Sequence, residues 1–357
     1  MLIISPRLST KEKVYGGASL VAMLIAKALN NIGVRTKVID CFGSYSDLVW
    51  NTYERYLNLS RRIMQPRRTI KESLFLFNIM KLLRIDKYFL KTVKMYDPDC
   101  VLSLVPYIFP AYVFKKWGIP YFYWNVDDPQ NFSDEVIKTA KLSSHTFTIS
   151  YGNIPQYKKH GVNNISYLPL AADPDIFKPK NKDFNPKYDI VYVGNYTLDK
   201  VKGYKKYLFP VLRLSDIKVM IYGNRWPRLP IVKGSIPYCS VPKIYYNSRI
   251  VLNIHTDLQR RTFLSLNMRT FEALSCGACL VSDYVPGMET YFELQKDLMA
   301  IPETIAEKSI ILVIKNLLKD DEVRKEMEIR SYRKIQKYHT YVNRARSLLR
   351  TIECFLK

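Results

Sequence analysis

A short stretch in the last third of the chain combines a helix start with side chains that suit a phosphorylated ligand. Residues 265–283 read SLNMRTFEALSCGACLVSD. Good helix formers and an apolar face predict a helix from Met268 to Ser275, Gly277 stands where a C-cap belongs, and residues 278–282 predict a short strand. The free N–H groups and the dipole at the start of such a helix attract anions. The stretch therefore predicts a phosphate site, provided that this helix end faces a cleft.

Glycine and polar residues directly follow the other predicted strands of this half. In open α/β sheets ligands bind beyond the carboxyl ends of the strands, so these positions are informative. Glycine lets the backbone approach a ligand, and nearby basic side chains can meet a phosphate. The pattern predicts a binding site for an anionic nucleotide, and Lys202 is the lysine that we prefer as a phosphate-binding residue. The positions are Gly194, Asn195 and Tyr196; Gly223, Asn224 and Arg225; His255 and Thr256; and Ser282 and Asp283, with Lys200 and Lys202 among the basic neighbours.

Several common kinds of active site are disfavoured because their motifs are missing. No G-x-G-x-x-G follows the first strand of either half, and there is no P-loop and no G-x-S-x-G. The four histidines lack the spacing of a zinc helix, and Cys276 and Cys279 have no second pair. We interpret these cysteines as ordinary buried thiols, and we expect no metal site and a reducing compartment.

Candidate acid–base groups lie on both sides of the expected cleft. Asp127 and Asp128 follow the strand-like YFYWNV, where a carboxylate can take the proton of an acceptor hydroxyl. The alternative is an Asp-Pro turn in which Asp128 caps the next segment. His255 is a third catalytic candidate, with a buried structural histidine as the alternative. Trp226 or Tyr238 could flank a nucleobase, although packing is the usual role of an aromatic ring.

Strand-like and helix-like segments alternate along the chain, which predicts the α/β class with parallel, doubly wound sheets. Four prolines between Leu168 and Tyr188 indicate a stiff linker, after which the pattern restarts with YDIVYVGN. We therefore predict two Rossmann-like domains that face each other across a cleft, residues 1–170 and 171–357. We also expect the C-terminal helix to return to the N-terminal domain.

The formal net charge of +23 and the pI of about 9.6 indicate an anionic partner, which can be nucleic acid, a lipid surface or a phosphorylated substrate. Residues 60–95 hold ten basic residues against two acidic ones, with apolar residues between them. This segment suits a basic amphipathic helix at an anionic membrane or, equally, a core-packing helix with a solvated basic face.

The sequence pattern does not predict a membrane-spanning segment or a signal peptide. No apolar run is long enough to cross a bilayer, and the start MLIISPRLS lacks the order of a signal peptide. We expect a cytoplasmic protein, with a peripheral position at the inner membrane face as a variant of that location.

The second half resembles the CgeB-like glycosyltransferases, which have the two-domain GT-B fold and belong to the group 1 type. The first half matches them only loosely, through Tyr15-Gly16-Gly17 and WNVDDP. The resemblance implies that the C-terminal domain holds a nucleotide-sugar donor, of UDP or GDP type, and that the N-terminal domain holds the acceptor. The matching stretches are LPLAADPDIFKP, YDIVYVGN, VMIYGNRW, IPYCSVPKIYYNSRIVLNIH, NMRTFEALSCGACLVSD and HTYVNRA.

The resemblance also implies roles for single residues. Glu272 matches the glutamate that binds the donor ribose, and Arg269, with Arg260 or Arg261, would neutralise the leaving diphosphate. Many retaining members carry a second glutamate where this chain has Leu264, so the stereochemical outcome stays open. The full set of predicted donor-binding residues is Gly194, Asn195, Lys202, Gly223, Tyr238, Arg260, Asn267, Arg269, Thr270 and Glu272.

The resemblance implies an enzyme, a hexosyltransferase that needs no metal and no cofactor besides its donor. The acceptor is a hydroxyl of a glycan, a lipid-linked glycan or a protein, and a lipid-linked acceptor would suit a membrane contact through residues 60–95. The alternative is a non-catalytic basic protein on the same scaffold that binds nucleic acid or membranes. Against it, the chain has no nucleic-acid motif and its basic charge is spread over both halves.

Overall fold

The computed structural model describes residues 1–6, 17–40, 85–106, 108–179 and 186–356. Tyr15 and Gly16 of the glycine loop, and residues 60–84 of the basic segment, lie outside these described residues. The described chain forms two parallel β-sheets with helices packed against them, which confirms the predicted α/β class.

Eleven strands of the described residues build the two sheets. They are β1 (Leu2–Ser5), β2 (Lys37–Asp40), β3 (Val101–Ser103), β4 (Tyr121–Asn125), β5 (His145–Thr148), β6 (Ile165–Tyr167), β7 (Tyr188–Val193), β8 (Val219–Tyr222), β9 (Ser248–Asn253), β10 (Leu280–Asp283) and β11 (Met299–Ile301). The first sheet has the order β2-β1-β3-β4-β5-β6 and the second has β11-β10-β9-β7-β8. All of the strand pairs are parallel.

The helices connect these strands and cover them. They are α1 (Gly17–Asn31), α2 (Ile85–Tyr96), α3 (Ile108–Lys116), α4 (Asp134–Leu142), α5 (Ile154–Lys159), α6 (Val201–Gly203), α7 (Phe209–Leu212), α8 (Val241–Tyr246), α9 (Met268–Ser275), α10 (Glu307–Lys319), α11 (Asp321–Tyr338) and α12 (Tyr341–Leu356). A π-helical turn over Tyr204–Leu208 joins α6 to α7. Among the described helices none has both the length and the apolarity to cross a bilayer.

Both faces of the first sheet are covered, and its central strands β1, β3 and β4 are buried over their whole length. The strand β4, YFYWN, is entirely buried. Phe122 and Trp124 belong to the core on the side of α1 and α12, and the indole Nε1 of Trp124 donates to the carbonyl oxygen of Leu168 at 3.0 Å. Tyr121 and Tyr123 belong to the opposite core, under α2 to α5.

The second sheet is sandwiched in the same way. On one side Tyr192, Tyr204 and Ile250 share a core with residues of α10 and α11. On the other side Phe271 and Leu274 of α9 are fully buried. The apolar face predicted for α9 therefore packs against the sheet, and this packing fixes where the start of the helix lies.

The segment that joins the two sheets is hydrogen-bonded to the last helix, α12. Arg344 of α12 is buried and donates from Nε to the carbonyl oxygen of Pro169 at 2.8 Å, and from Nη2 to that of Leu170 at 3.1 Å. The helix α12 packs against α1, and the ring of Phe355 lies 5.7 Å from that of Phe122. The last helix thus lies beside the first sheet.

The local structure of residues 265–283 agrees closely with the structure predicted from the sequence. The helix α9 begins at Met268 and ends at Ser275 as predicted, and Gly277 has φ of +63°, the left-handed conformation of a C-cap glycine. The segment after β7, by contrast, does not form one continuous helix but several short helical pieces between residues 198 and 212. Pro210 lies inside it and cannot donate the hydrogen bond of a continuous helix.

Candidate active site

The carboxyl ends of β7, β8, β9 and β10 meet at one edge of the second sheet, because these strands are parallel and adjacent. The residues that follow them were predicted to face a ligand. This edge, with the start of α9 next to it, is the candidate donor site.

The glycines after β7 and β8 lie against each other at this edge. Gly223 has φ of +149°, and a Cβ atom there would lie 2.1 Å from the carbonyl oxygen of Gly194. The side-chain oxygen of Asn195 accepts from the backbone N–H of Asn224 at 2.8 Å, and the indole Nε1 of Trp226 donates to the Gly194 carbonyl at 2.8 Å. Gly194, Asn195 and Gly223 therefore shape two loops through backbone contact.

A Gly223→Ala variant is expected to lose at least about 3 kcal/mol of folding free energy, because the new Cβ would collide with backbone atoms that cannot move alone. Gly234→Ala is the matched control. Gly234 also has a positive φ, of +70°, but a Cβ there would meet nothing within 4 Å. We expect a loss of only about 1 kcal/mol for the control. Urea denaturation measures both, and equal losses would contradict the close approach of the two loops.

The start of α9 is capped from within the protein. The side-chain oxygen of Asn267 accepts from the backbone N–H of Thr270 at 3.1 Å, and its Nδ2 donates to Oδ1 of Asn253 at 3.0 Å. Thr270 is fully buried, and its hydroxyl accepts from Nδ2 of Asn253 at 3.1 Å. Both residues were predicted to bind the donor, and in the structure their polar side-chain atoms hold the helix start in place.

His255 is enclosed between a carboxylate and a hydroxyl. Its Nδ1 lies 2.6 Å from Oδ1 of Asp283, and its Nε2 lies 3.3 Å from the hydroxyl of Thr270. The backbone N–H of His255 also donates to Asp283, at 2.9 Å, and all three side chains are buried. Both ring nitrogens thus contact buried side chains, which is the arrangement of the structural alternative, and a catalytic role of His255 stays a prediction.

Arg260 is buried beside the same carboxylate. Its Nη1 donates to the carbonyl oxygen of His255 at 3.2 Å and lies 3.5 Å from Asp283, while Nη2 donates to Asp257. A Cβ at Gly203 would lie 2.5 Å from Nη1, so the glycine makes room for the guanidinium. The Nε of Arg260 is buried and has no hydrogen-bond partner among the described residues.

Lys200, and not the preferred Lys202, lies at the sheet edge. Its Nζ donates to the carbonyl oxygen of Ile254 at 2.8 Å, whereas Lys202 is exposed. Burial lowers the pKa of Lys200 to about 8, against the opposing influence of Asp283 and Asp199. The sequence named Lys200 among the basic neighbours but could not rank it above Lys202, because the short, irregular helix turns decide which side chain points inward.

Glu272 is fully buried, and both of its oxygens have partners. Tyr238 donates its hydroxyl to Oε1 at 2.6 Å, and Arg269 donates from Nη1 to Oε2 at 2.8 Å. Burial, reinforced by the Glu272 carboxylate, raises the pKa of Tyr238 well above its usual value. In this conformation a ribose can reach Glu272 only if Tyr238 or Arg269 gives up its place, so the ribose contact remains a prediction.

The two aspartates after β4 have different surroundings. Asp127 is exposed, whereas Asp128 is buried and accepts from the hydroxyl of Thr148 and from Nδ2 of Asn153, the latter at 2.6 Å. Burial raises the pKa of Asp128 to about 7. Asp128 lies in a turn, as the alternative predicted, but its carboxylate does not cap the next helix, whose N-cap is Ser133. Asp127 is the exposed acid–base candidate.

The burial of Asp128 has a measurable consequence. Because its pKa is raised in the folded protein, the folded state holds a proton that the unfolded state releases, so this group's contribution to stability falls as pH rises from about 4 to about 7. Asp128→Asn cannot titrate. We expect the difference in unfolding free energy between Asp128→Asn and the unmodified protein to shift in favour of the variant over this range. A difference that does not change with pH would contradict the raised pKa of Asp128.

The two sheets meet beside the candidate site. The side-chain amide of Gln130, which follows the aspartates, donates to the hydroxyl of Thr256 after β9. The backbone N–H of Gly152, after β5, donates to the carbonyl oxygen of Phe263 at 2.9 Å. Loops at the carboxyl edges of both sheets are therefore in contact. A cavity of about 480 Å³ opens at the end of β8, lined in part by Arg225, Trp226 and Arg228.

Part of the chain is similar in sequence to a known family. Residues 205–350 match the glycosyl transferase-like family. The spore protein CgeB of Bacillus subtilis (strain 168) is 22% identical over 217 residues, which are 54% of this chain and 66% of CgeB, slightly under two thirds of its length. Residues 205–350 are thus similar to the glycosyl transferase-like family, and the chain is similar to CgeB.

Solved structures share the fold of this chain. Sucrose-phosphate synthase (tll1590) from Thermosynechococcus elongatus aligns with a TM-score of 0.69 at 10% identity, over 99% of this chain and 98% of that one. Anabaena Alr3699/HepE in complex with UDP-glucose aligns with a TM-score of 0.66 at 13% identity, over 99% and 100%. The fold is GT-B, as the resemblance implied.

Among the described residues, no group of three or more His, Cys, Asp or Glu side chains could hold a metal ion. Lys200 and Arg260 bind the carbonyl oxygens of the consecutive residues Ile254 and His255, so two cations are held side by side at the end of β9.

Proposed function

We propose that the protein transfers a sugar from a nucleoside diphosphate sugar to a hydroxyl group of an acceptor. The observation that carries the proposal is the fixed pair of cations, Lys200 and Arg260, at the carboxyl edge of the second sheet. Two adjacent positive charges next to a helix start match the two negative phosphates of a pyrophosphate. The Nε of Arg260 has no partner among the described residues, and because it is buried a ligand can reach it only after a neighbouring side chain moves.

The reaction breaks the bond between the anomeric carbon and the diphosphate and forms one to the acceptor oxygen. Negative charge grows on the leaving diphosphate, and cations already in position stabilise it without reorganisation. Lys200, Arg260 and Arg269 supply these cations in our proposal, and no metal ion takes part. Asp127 is the base that removes the proton from the acceptor hydroxyl.

We assign the donor to residues 171–357 and the acceptor to residues 1–170. HepE, which has this fold and was solved in complex with UDP-glucose, supports a nucleotide-sugar donor, which we propose to be of UDP or GDP type. The acceptor is a hydroxyl of a glycan, a lipid-linked glycan or a protein, and the protein acts in the cytoplasm. A membrane contact through residues 60–95 stays a prediction, since most of that segment lies outside the described residues.

Calorimetric titration with a panel of UDP, GDP, ADP and CDP tests the proposal and identifies the base. We expect one nucleoside diphosphate to bind at least tenfold more tightly than the corresponding monophosphate, since the second phosphate meets the second cation. If no member of the panel binds, the protein is instead a non-catalytic basic binder, the alternative that its net charge of +23 favours.

A further inference from the structure

The edge of the first sheet that faces away from the cleft carries a band of positive charge. All strands of this sheet are parallel, so the turns that lead from a helix into the next strand lie at the same edge, opposite the carboxyl ends. The last turns of α2, α3, α4 and α5 contain lysine at this edge. The exposed basic residues of this basic edge are Arg35, Lys37, Lys94, Lys115, Lys116, Lys141, Lys158 and Lys159.

These charges are not neutralised within the described protein. None of the eight forms an ion pair with a described residue. The turns at this edge contain only two acidic residues, Asp97 and Asp99. A lysine in the last turn complements the helix dipole, which explains one lysine per helix. It does not explain the pairs in α3 and α5 or the basic residues around the start of β2.

The basic edge also has aromatic and apolar side chains. Lys94 lies 5.9 Å from the ring centre of Trp117, and Arg35 lies 5.8 Å from that of Tyr96. Met95, in the last turn of α2, is 78% exposed. Lysine stems, indole and phenol rings and an exposed methionine together are the composition of a surface that lies in a membrane interface.

We infer that the basic edge docks on an anionic lipid bilayer. A six-stranded sheet has an edge about 24 Å wide, so the charges form a broad band that suits a flat anionic surface. Seven of the eight residues are lysine, whereas recognition of nucleic-acid phosphates favours the planar guanidinium of arginine. This surface includes residues outside 60–95, and it lies opposite the carboxyl edge of the first sheet.

Co-sedimentation with lipid vesicles tests the inference. The full chain is incubated with vesicles of phosphatidylcholine alone and of phosphatidylcholine mixed equally with phosphatidylglycerol. We expect binding only to the anionic vesicles, and a drop of roughly fivefold for each lysine removed in Lys115→Ala, Lys116→Ala, Lys158→Ala and Lys159→Ala combined. The matched control removes the same charge from exposed positions of the other half: Lys205→Ala, Lys243→Ala, Lys308→Ala and Lys319→Ala combined.

Three results would overturn the inference. These are equal binding to neutral vesicles, equal losses in both quadruple variants, and binding to duplex DNA at the same salt without binding to anionic vesicles. Both variants change exposed side chains, and circular dichroism checks that they fold. The inference does not depend on the proposed function, because the basic-edge variant should keep its affinity for the nucleoside diphosphate.

Discussion

A Lys200→Ala variant is expected to lose about a hundredfold or more in kcat/KM for sugar transfer, with a roughly tenfold weaker affinity for the nucleoside diphosphate. The larger effect on catalysis follows because the charge on the diphosphate grows as the sugar leaves, so the missing cation is needed most in the transition state. Initial rates with the donor identified by calorimetry measure the first effect, and titration with the diphosphate measures the second.

Lys202→Ala is the matched control for this prediction. It removes the same charge two positions along the chain, from a side chain that is exposed. We expect it to keep activity within about twofold, as an exposed charge screened by water contributes little. If Lys202→Ala lost activity and Lys200→Ala did not, the assignment of the phosphate lysine would be reversed.

An Asp283→Asn variant is expected to lose roughly 3 kcal/mol of folding free energy and most of its activity. Asp283 is fully buried and accepts from His255 through both the backbone N–H and the ring, with Arg260 3.5 Å away. Removal of this carboxylate leaves the buried guanidinium without its buried counter-charge, which costs several kcal/mol. Urea denaturation at constant pH gives the stability, and diphosphate titration shows whether Arg260 still binds.

The control for this variant is Asp257→Asn. Asp257 also accepts from Arg260 but is partly exposed, so water can replace it. We expect a loss below about 1 kcal/mol and a diphosphate affinity close to that of the unmodified protein. Equal destabilisation by the two variants would contradict a special role for the buried carboxylate.

Regular sequence patterns predicted the α/β class and the bounds of α9, whereas the GT-B fold was implied by the resemblance to the CgeB-like glycosyltransferases. Apolar periodicity, the position of Gly277 and the order of strands are visible without coordinates. The loops after β7 and β8 were also located correctly, because a glycine directly follows each of these strands.

The roles of individual polar side chains were harder to predict. Asn267, Thr270 and His255 lie at the predicted edge, but their polar atoms are used to hold one another and Asp283. The chain after β7 forms short helical turns, and these turns direct Lys200 inward. Such short turns have no periodic sequence pattern from which the direction of a side chain could be predicted. A sequence indicates which residues reach an edge, whereas side-chain packing decides which of them face the ligand.

The basic edge could not be predicted from the sequence. Its lysines are far apart in the sequence and come together only because all strands of the first sheet are parallel. The sequence showed the net charge and the basic segment at residues 60–95, yet it did not show that separate helix ends share one edge.

A crystal structure of the protein with its nucleoside diphosphate tests the central claim most directly. Our account predicts that the two phosphates lie within hydrogen-bond distance of Lys200 Nζ and of the Arg260 guanidinium, at the carboxyl end of β9. A diphosphate bound elsewhere, for example in the cavity beside Arg225 and Arg228 with Lys200 still bound only to Ile254, would contradict it.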